Sequence, residues 1–252
     1  MRKTILLTND DGYSSQGLTI LRKELMKEYR VITVAPSRER SAVSLALTLN
    51  RPLRVEKLED DFFYVDGTPS DCVNIAVRKI CDKLPDIVVS GMNLGENLSE
   101  DIFYSGTVGA AISGFFYGIP ALAVSLISPD MKYESFGYMF KYGAEITERV
   151  VSKFLKIGSL NGVFNINIPP ETNGEIYVTT LGKKRYTPNI VERSDPRGRK
   201  YYWIGTGDPV REGEKGTDIW AVENGYVSLS PLKYELSCFE AVDSIKKYFN
   251  ED

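Results

Sequence analysis

The stretch TILLTNDDG, Thr4 to Gly12, decides how the chain is read. Its first five residues are apolar or β-branched without polar alternation, as in a strand buried on both faces of a parallel sheet. They run straight into an amide, two adjacent carboxylates and a glycine. Neighbouring side chains of a strand point to opposite faces, so Asp10 and Asp11 reach one point only after the chain has turned out of the sheet, and Gly12 permits that turn. Two carboxylates held that close repel each other, and the pair must lift one pKa, accept strong hydrogen bonds or hold a cation. A hard divalent ion is the simplest resolution: Mg2+ or Mn2+ prefers oxygen ligands and keeps some of its waters, and later loops offer Ser41, Asn93 and Asn97 as oxygen donors. A plainer alternative stays open, in which Asp10 caps a helix starting near Gly17 and Asp11 is solvated.

Outward from this stretch, short Val/Ile/Leu runs alternate with helical patterns. GLTILRKELMKEY places Leu18, Leu21 and Leu25 on one helical face, and RVITVA (Arg30–Ala35) follows as a strand stopped by Pro36. FFYVDG (Phe62–Gly67) reads as a strand, SDCVNIAVRKI as a helix capped by Ser70 or Asp71, and DIVVSG (Asp86–Gly91) as a further buried strand. A helix is expected from Thr107 to about Tyr117, then a strand at Ala121–Leu126, a helix from about Ser135 to Leu155 and a strand at Val163–Pro169. The expected fold class is α/β: a doubly wound, largely parallel, Rossmann-like sheet flanked by helices. Beyond Pro170, EIYVTTLG, KYYWIG and GYVSLSPL read as β-hairpins, and SCFEAVDSIKKYFN as a closing amphipathic helix. We expect one domain over 1–252, with a core over 1–170 and a hairpin-and-helix extension over 171–252.

The 252 residues carry a formal charge of −3, which gives no general attraction to nucleic acid or anionic lipid and leaves only local sites for small anions. No apolar run approaches the roughly 18 residues of a membrane helix. The opening MRKTILLTNDD turns polar too soon for a signal peptide, so a cytoplasmic location is expected. Three cysteines, Cys72, Cys81 and Cys238, lack the pairing of a disulfide framework or a zinc site. The histidine count of zero is more telling. It removes Ser-His-Asp and Cys-His nucleophile pairs, phosphohistidine chemistry and the imidazole ligands that favour zinc or copper. Neither G-x-G-x-x-G after the first strand nor G-x-x-x-x-G-K-[ST] occurs, which argues against a dinucleotide fold and a Walker triphosphatase.

Loops after the C-terminal ends of parallel strands share one edge, where ligands bind. NDDG, PSRERS, DGTPSD and SGMNLGEN are all placed to meet there. In YSGTVGAA, Ser105, Gly106 and Thr107 stand where a helix begins; either exposed N–H groups and two hydroxyls cradle a phosphate, or Thr107 is an ordinary N-cap. Arg38 and Arg40 face either a phosphate or solvent. Glu96, Glu100 and Asp101 read as surface charge.

With these loops in view, the chain resembles the survival protein SurE family of metal-dependent nucleotidases and phosphatases. The resemblance rests on TNDDG, RERSAVSLALT, VDGTPSDCV, SGMNLGEN, YSGTVGAA, DPRGRKYYWIG, GTD and GYVSLSPL, in that order and nearly end to end. It implies one divalent ion, Mg2+ or Mn2+, on Asp10, Asp11, Ser41 and Asn93, and phosphate on Asn97, Ser105, Gly106 and Thr107. It implies hydrolysis of nucleoside 5′-monophosphates, with 3′-monophosphates and short polyphosphate as further substrates. It also implies a homodimer or homotetramer in which the C-terminal hairpin and the helix near Ser237–Asn250 embrace a neighbour. Ala42 departs from the glycine usual after the serine, and Ser113 from a more common glutamate. Without histidine, an aspartate handles the proton; we assign Asp10 to orient or deprotonate the water and Asp11 to ligate, with the reverse also open. The rival readings are a receiver-type module with Asp66 as phosphoacceptor, a haloacid-dehalogenase-like phosphatase, and a nucleotide-sensing phosphate binder without hydrolysis. The first lacks the required lysine in ALAVSLIS, and the second wants D-x-D where this chain has adjacent acids.

Overall fold

The structure, a computed structural model, describes residues 2–128, 136–205, 207 and 209–249. The opening apolar run forms strand β1 (Thr4–Thr8), buried throughout. Ile5 and Leu7 pack into one apolar layer and Leu6 into the other, as alternation across a strand dictates. Helix α1 (Gln16–Leu25) buries Leu18, Leu21 and Leu25 and is followed by β2 (Arg30–Pro36). The next elements are β3 (Val55–Glu59), β4 (Phe62–Val65), α2 (Pro69–Ile75) with a wider turn to Ile80, and β5 (Ile87–Leu94). A short turn at Ser99–Phe103 leads into α3 (Gly106–Phe115), β6 (Ala121–Leu126), α4 (Phe136–Ile157) and β7 (Val163–Ile168). The remainder comprises β8 (Ile176–Val178), β9 (Lys183–Arg185), β10 (Asn189–Ser194), β11 (Lys200–Gly205), β12 (Val210–Glu212), α5 (Asp218–Glu223), β13 (Val227–Leu232) and α6 (Phe239–Phe249).

One nine-stranded sheet in the order β3-β4-β2-β1-β5-β6-β7-β13-β8 organises these elements. The six strands from β4 to β7 run parallel, with α1 and α4 covering one face and α2 and α3 the other. The chain winds outward from β1 to β2 and β4, then returns to β5 on the other side of β1. That reversal opens a crevice beyond the C-terminal ends of β1 and β5, the place where such sheets bind ligands. Asp10 and Asp11 follow β1 after Asn9, and Asn93 lies near the end of β5. Among the described residues, no helix is long and apolar enough to cross a membrane.

Several local expectations change. β3 is an antiparallel edge strand with five exposed residues, and its charged sequence VEKLE carries no burial pattern to announce it. The cap of α2 is Thr68, whose hydroxyl accepts from the Asp71 N–H while Asp71 accepts from the Thr68 N–H, in place of Ser70 or Asp71. β13 is no hairpin partner of its neighbours in sequence: it inserts between β7, to which it is antiparallel, and β8. The main sheet therefore draws two strands from beyond residue 170. Of the three expected hairpin runs, KYYWIG (β11) does lie in an antiparallel hairpin, with β10 as its partner, whereas β8 from EIYVTTLG pairs in parallel with β13. Ser135 and Asn250, expected at helix ends, lie outside the described residues.

Candidate active site

The loops after β1, β2 and β5 meet at one cleft of about 1160 Å³. Asp10, Asp11, Ser41, Asn93, Asn97 and Ser105 all line it. The fourth loop braces rather than lines it: the Arg40 guanidinium donates to the carbonyls of Gly67 (3.1 Å) and Asp66 (3.4 Å). Arg40 thus faces neither solvent alone nor the cleft, whereas Arg38 is exposed. Asp66 accepts from the Arg51 guanidinium and the Arg54 N–H, which commits its carboxylate to the edge strand.

Asp10 is buried, and it does not cap α1; Ser15 does, accepting from the Leu18 N–H. The Asp10 carboxylate sits instead at the start of α3, where Oδ2 accepts from the Thr107 N–H at 3.1 Å and Oδ1 from the Thr107 hydroxyl at 2.5 Å. Ser105, not Thr107, is the side-chain cap, accepting from the Val108 N–H at 3.1 Å. A negative group here is favoured by the helix dipole and by donors that the helix cannot use itself. Gly106 makes the approach possible, because a Cβ there would lie 2.9 Å from the Asp10 Cβ and 3.0 Å from Oδ2. Gly106 and Thr107 therefore stand behind Asp10, outside the cleft lining. Gly12, at φ +95°, turns the chain after the acids and passes close to the Arg38 backbone.

Burial raises the pKa of Asp10, and the Thr107 hydrogen bonds offset this only in part. For Asp11, burial and then the neighbouring Asp10 charge push the pKa up to about 7, against a hydrogen bond from the Leu94 N–H. Both shifts have the sign of negative charge without a counter-ion. The neutral donors fit a cation. Asn93 spends its amide N–H on the Gly95 carbonyl at 2.9 Å, which leaves its oxygen for a positive partner, and the Ser41 hydroxyl donates to Glu39 Oε1 at 2.9 Å, which leaves its lone pairs. Among the described residues no three of His, Cys, Asp and Glu cluster as metal ligands, so an ion here would draw on two carboxylates, neutral oxygens and water, as Mg2+ or Mn2+ does.

The loop between β5 and α3 is held from below by residues the sequence did not announce. The Asn97 N–H donates to Asn167 Oδ1 (2.8 Å), its carbonyl accepts from Asn165 Nδ2 (2.7 Å) and Asn167 Nδ2 (3.1 Å), and its side chain donates to the Ser125 hydroxyl (2.7 Å). Two asparagines on one face of the otherwise apolar strand VFNINI were the available signal. From the C-terminal region, buried Asp218 accepts from the Ser99 N–H at 2.8 Å. Lys184, also buried, reaches Glu96 and Asp101. Glu96 and Asp101 are therefore not free surface charge.

The fold and site together define an α/β protein with an acid pair and a helix N-terminus at the switch point of its sheet. A profile of the family described as Survival protein SurE matches residues 5–188. The chain is 44% identical over 245 residues to the 5′-nucleotidase SurE of Pelobacter propionicus, covering 96% of this chain and 97% of the relative. It is 41% identical over 252 residues to the 5′-nucleotidase SurE of Vibrio vulnificus, with 98% and 96% covered. The crystal structure of the SurE protein from Aquifex aeolicus superposes with a TM-score of 0.82 at 41% identity, over 98% of this chain and all of that one. The chain belongs to the SurE family.

Gly106→Ala is expected to push Asp10 from the helix start, costing about 1–3 kcal/mol, the usual penalty of overpacking, together with most divalent-ion binding. Calorimetric titration with Mn2+ and thermal melts check both. A second expectation concerns protons. In metal-free protein the raised Asp11 pKa means that the folded state binds more protons than the unfolded chain between pH 3.8 and about 7, so stability is lost as pH rises through that window. Discounted for the partial exposure of Asp11, the loss is on the order of 1–2 kcal/mol, or a fall in Tm of about 2–8 °C. D11N should flatten that slope, and a metal-free Tm that climbs with pH would contradict the assignment.

Proposed function

We propose that this chain is a divalent-metal-dependent phosphomonoesterase that hydrolyses nucleoside 5′-monophosphates, and also 3′-monophosphates and short polyphosphate. The observation that carries the reading is the uncompensated acid pair set against the start of α3, in a chain whose relatives are 5′-nucleotidases. Asp10, Asp11, Ser41 and Asn93 would hold one ion, Mg2+ or Mn2+. When bound, that ion supplies a Lewis acid that polarises a phosphoryl oxygen and lowers the pKa of the water it holds.

Asn97 and Ser105, which line the cleft, would receive the phosphate near the α3 N-terminus, where N–H dipoles favour the charge that grows on its oxygens, while Gly106 makes room for Asp10 behind them. Thr107 is assigned a supporting part: its N–H and hydroxyl are spent on Asp10 and fix that carboxylate's direction. Asp10 orients the attacking water or takes its proton. Burial suits it to this, since a raised pKa brings an aspartate towards the pH at which it must accept a proton. Asp11, at the cleft wall, ligates.

The extension supports self-association. Trp203 and Ile204 on β11 are 66% and 77% exposed, and Tyr248 and Phe249 on α6 are 85% and 82% exposed, large apolar side chains of the kind that mark contact surfaces. We assign them to the interface of a homodimer or homotetramer.

Phosphate release from a nucleotide panel, an aryl phosphate and polyphosphate, each with Mg2+, Mn2+ or chelator, tests the reading; chelator-resistant turnover would refute it. D10N should lose about 100-fold or more in kcat, the usual weight of a general base, without unfolding the protein. For assembly, Y202S/W203S is expected to lower the mass measured by light scattering.

A further inference from the structure

We propose that Lys184 is a positioning residue for phosphate capture: it lowers the acidic charge of the β5–α3 loop so that an anionic substrate can enter the cleft. This rests on the nucleotidase reading above. Among the described residues lining the cleft, five are carboxylates, namely Asp10, Asp11, Glu39, Glu96 and Asp101, and Lys184 is the one cation. A phosphate dianion entering such a cleft meets repulsion that a single divalent ion on Asp10 and Asp11 would not remove.

The lysine comes from far along the chain, on β9, yet its side chain is only 3% exposed. Its ammonium lies 2.6 Å from Glu96 Oε1 and 2.5 Å from Asp101 Oδ2, and 4.9 Å above the Tyr186 ring. Tyr186 in turn donates to Asp101 Oδ1 at 2.6 Å. Arg211 supports the same loop from the rim through Glu96, at 2.7 Å. A buried ammonium is costly unless paired, and this one is paired twice, to a loop that carries Asn97 on one side and Ser105 on the other. Lys184 therefore does two things at once. It ties the C-terminal region to the phosphate loop, and with Arg211 on Glu96 it offsets the charge of two acids that line the cleft.

The two effects separate experimentally. K184M keeps the length of the side chain and removes its charge, whereas E96Q leaves the lysine and removes one opposing acid. If charge cancellation is the role, K184M raises KM for nucleoside monophosphate and Ki for inorganic phosphate by about five- to tenfold with kcat changed less, and E96Q lowers both, since one charge several ångströms away in a partly solvated cleft has that weight. Mn2+ affinity without substrate moves the opposite way: tighter in K184M, weaker in E96Q. K184R, which retains the charge, recovers most of the phosphate affinity. A purely structural part would raise KM in both variants and weaken Mn2+ in both. An unchanged KM in a folded K184M, or a KM in E96Q that stays level or rises, overturns the proposal; should K184M fail to fold, the direction of the E96Q change decides. Wild-type protein that releases no phosphate with any ion would instead overturn the nucleotidase reading itself.

Discussion

The seating of a buried aspartate on the first turn of a helix is the constraint from which the rest of the site follows. Asp10 can lie there because β1 ends one residue before Asn9, because Gly106 leaves room, and because Thr107 offers two donors to a carboxylate that burial would otherwise drive to protonate. Asp11 then has no comparable place. It is left beside a charge of its own sign at the wall of the cleft, and the sheet's switch point brings the neutral oxygens of Asn93 and Ser41 to the same wall.

How much of this could be read from the residues depends on distance along the chain. The acid pair, Gly12 and the strand before them are contiguous, so one nine-residue stretch was enough to expose the electrostatic problem. The parallel core was legible for a related reason, since strands buried on both faces announce themselves as unbroken apolar runs. β3 was not, because an exposed edge strand of charged residues has no burial to record in its pattern. Ser105 and Thr107 were both named, but their tasks were resolved only once Asp10 was seen against the helix.

Lys184 marks the limit more sharply. In KKRY it is indistinguishable from its exposed neighbours Lys183 and Arg185, and nothing local says that alternation along β9 turns this one residue inward. What buries it is the β5–α3 loop, roughly 85 residues earlier, whose acids were themselves read as solvated. Each half looked like ordinary surface because the partner that changes its environment lay elsewhere. Asn165 and Asn167 gave a fainter hint, two amides on one face of a buried strand, which is costly unless something above them needs holding.

The insertion of β13 between β7 and β8 also bears on how the chain is made. A ribosome delivers residues in order, and the strand that bridges the sheet's far edge leaves it well after β7 and β8. Until then β7 presents an unpaired border, and β8 has nothing in the sheet to hold it. The nascent polypeptide must wait with that border open, so the interval between the making of β7 and of β13 is when it is most exposed to pairing with a stranger.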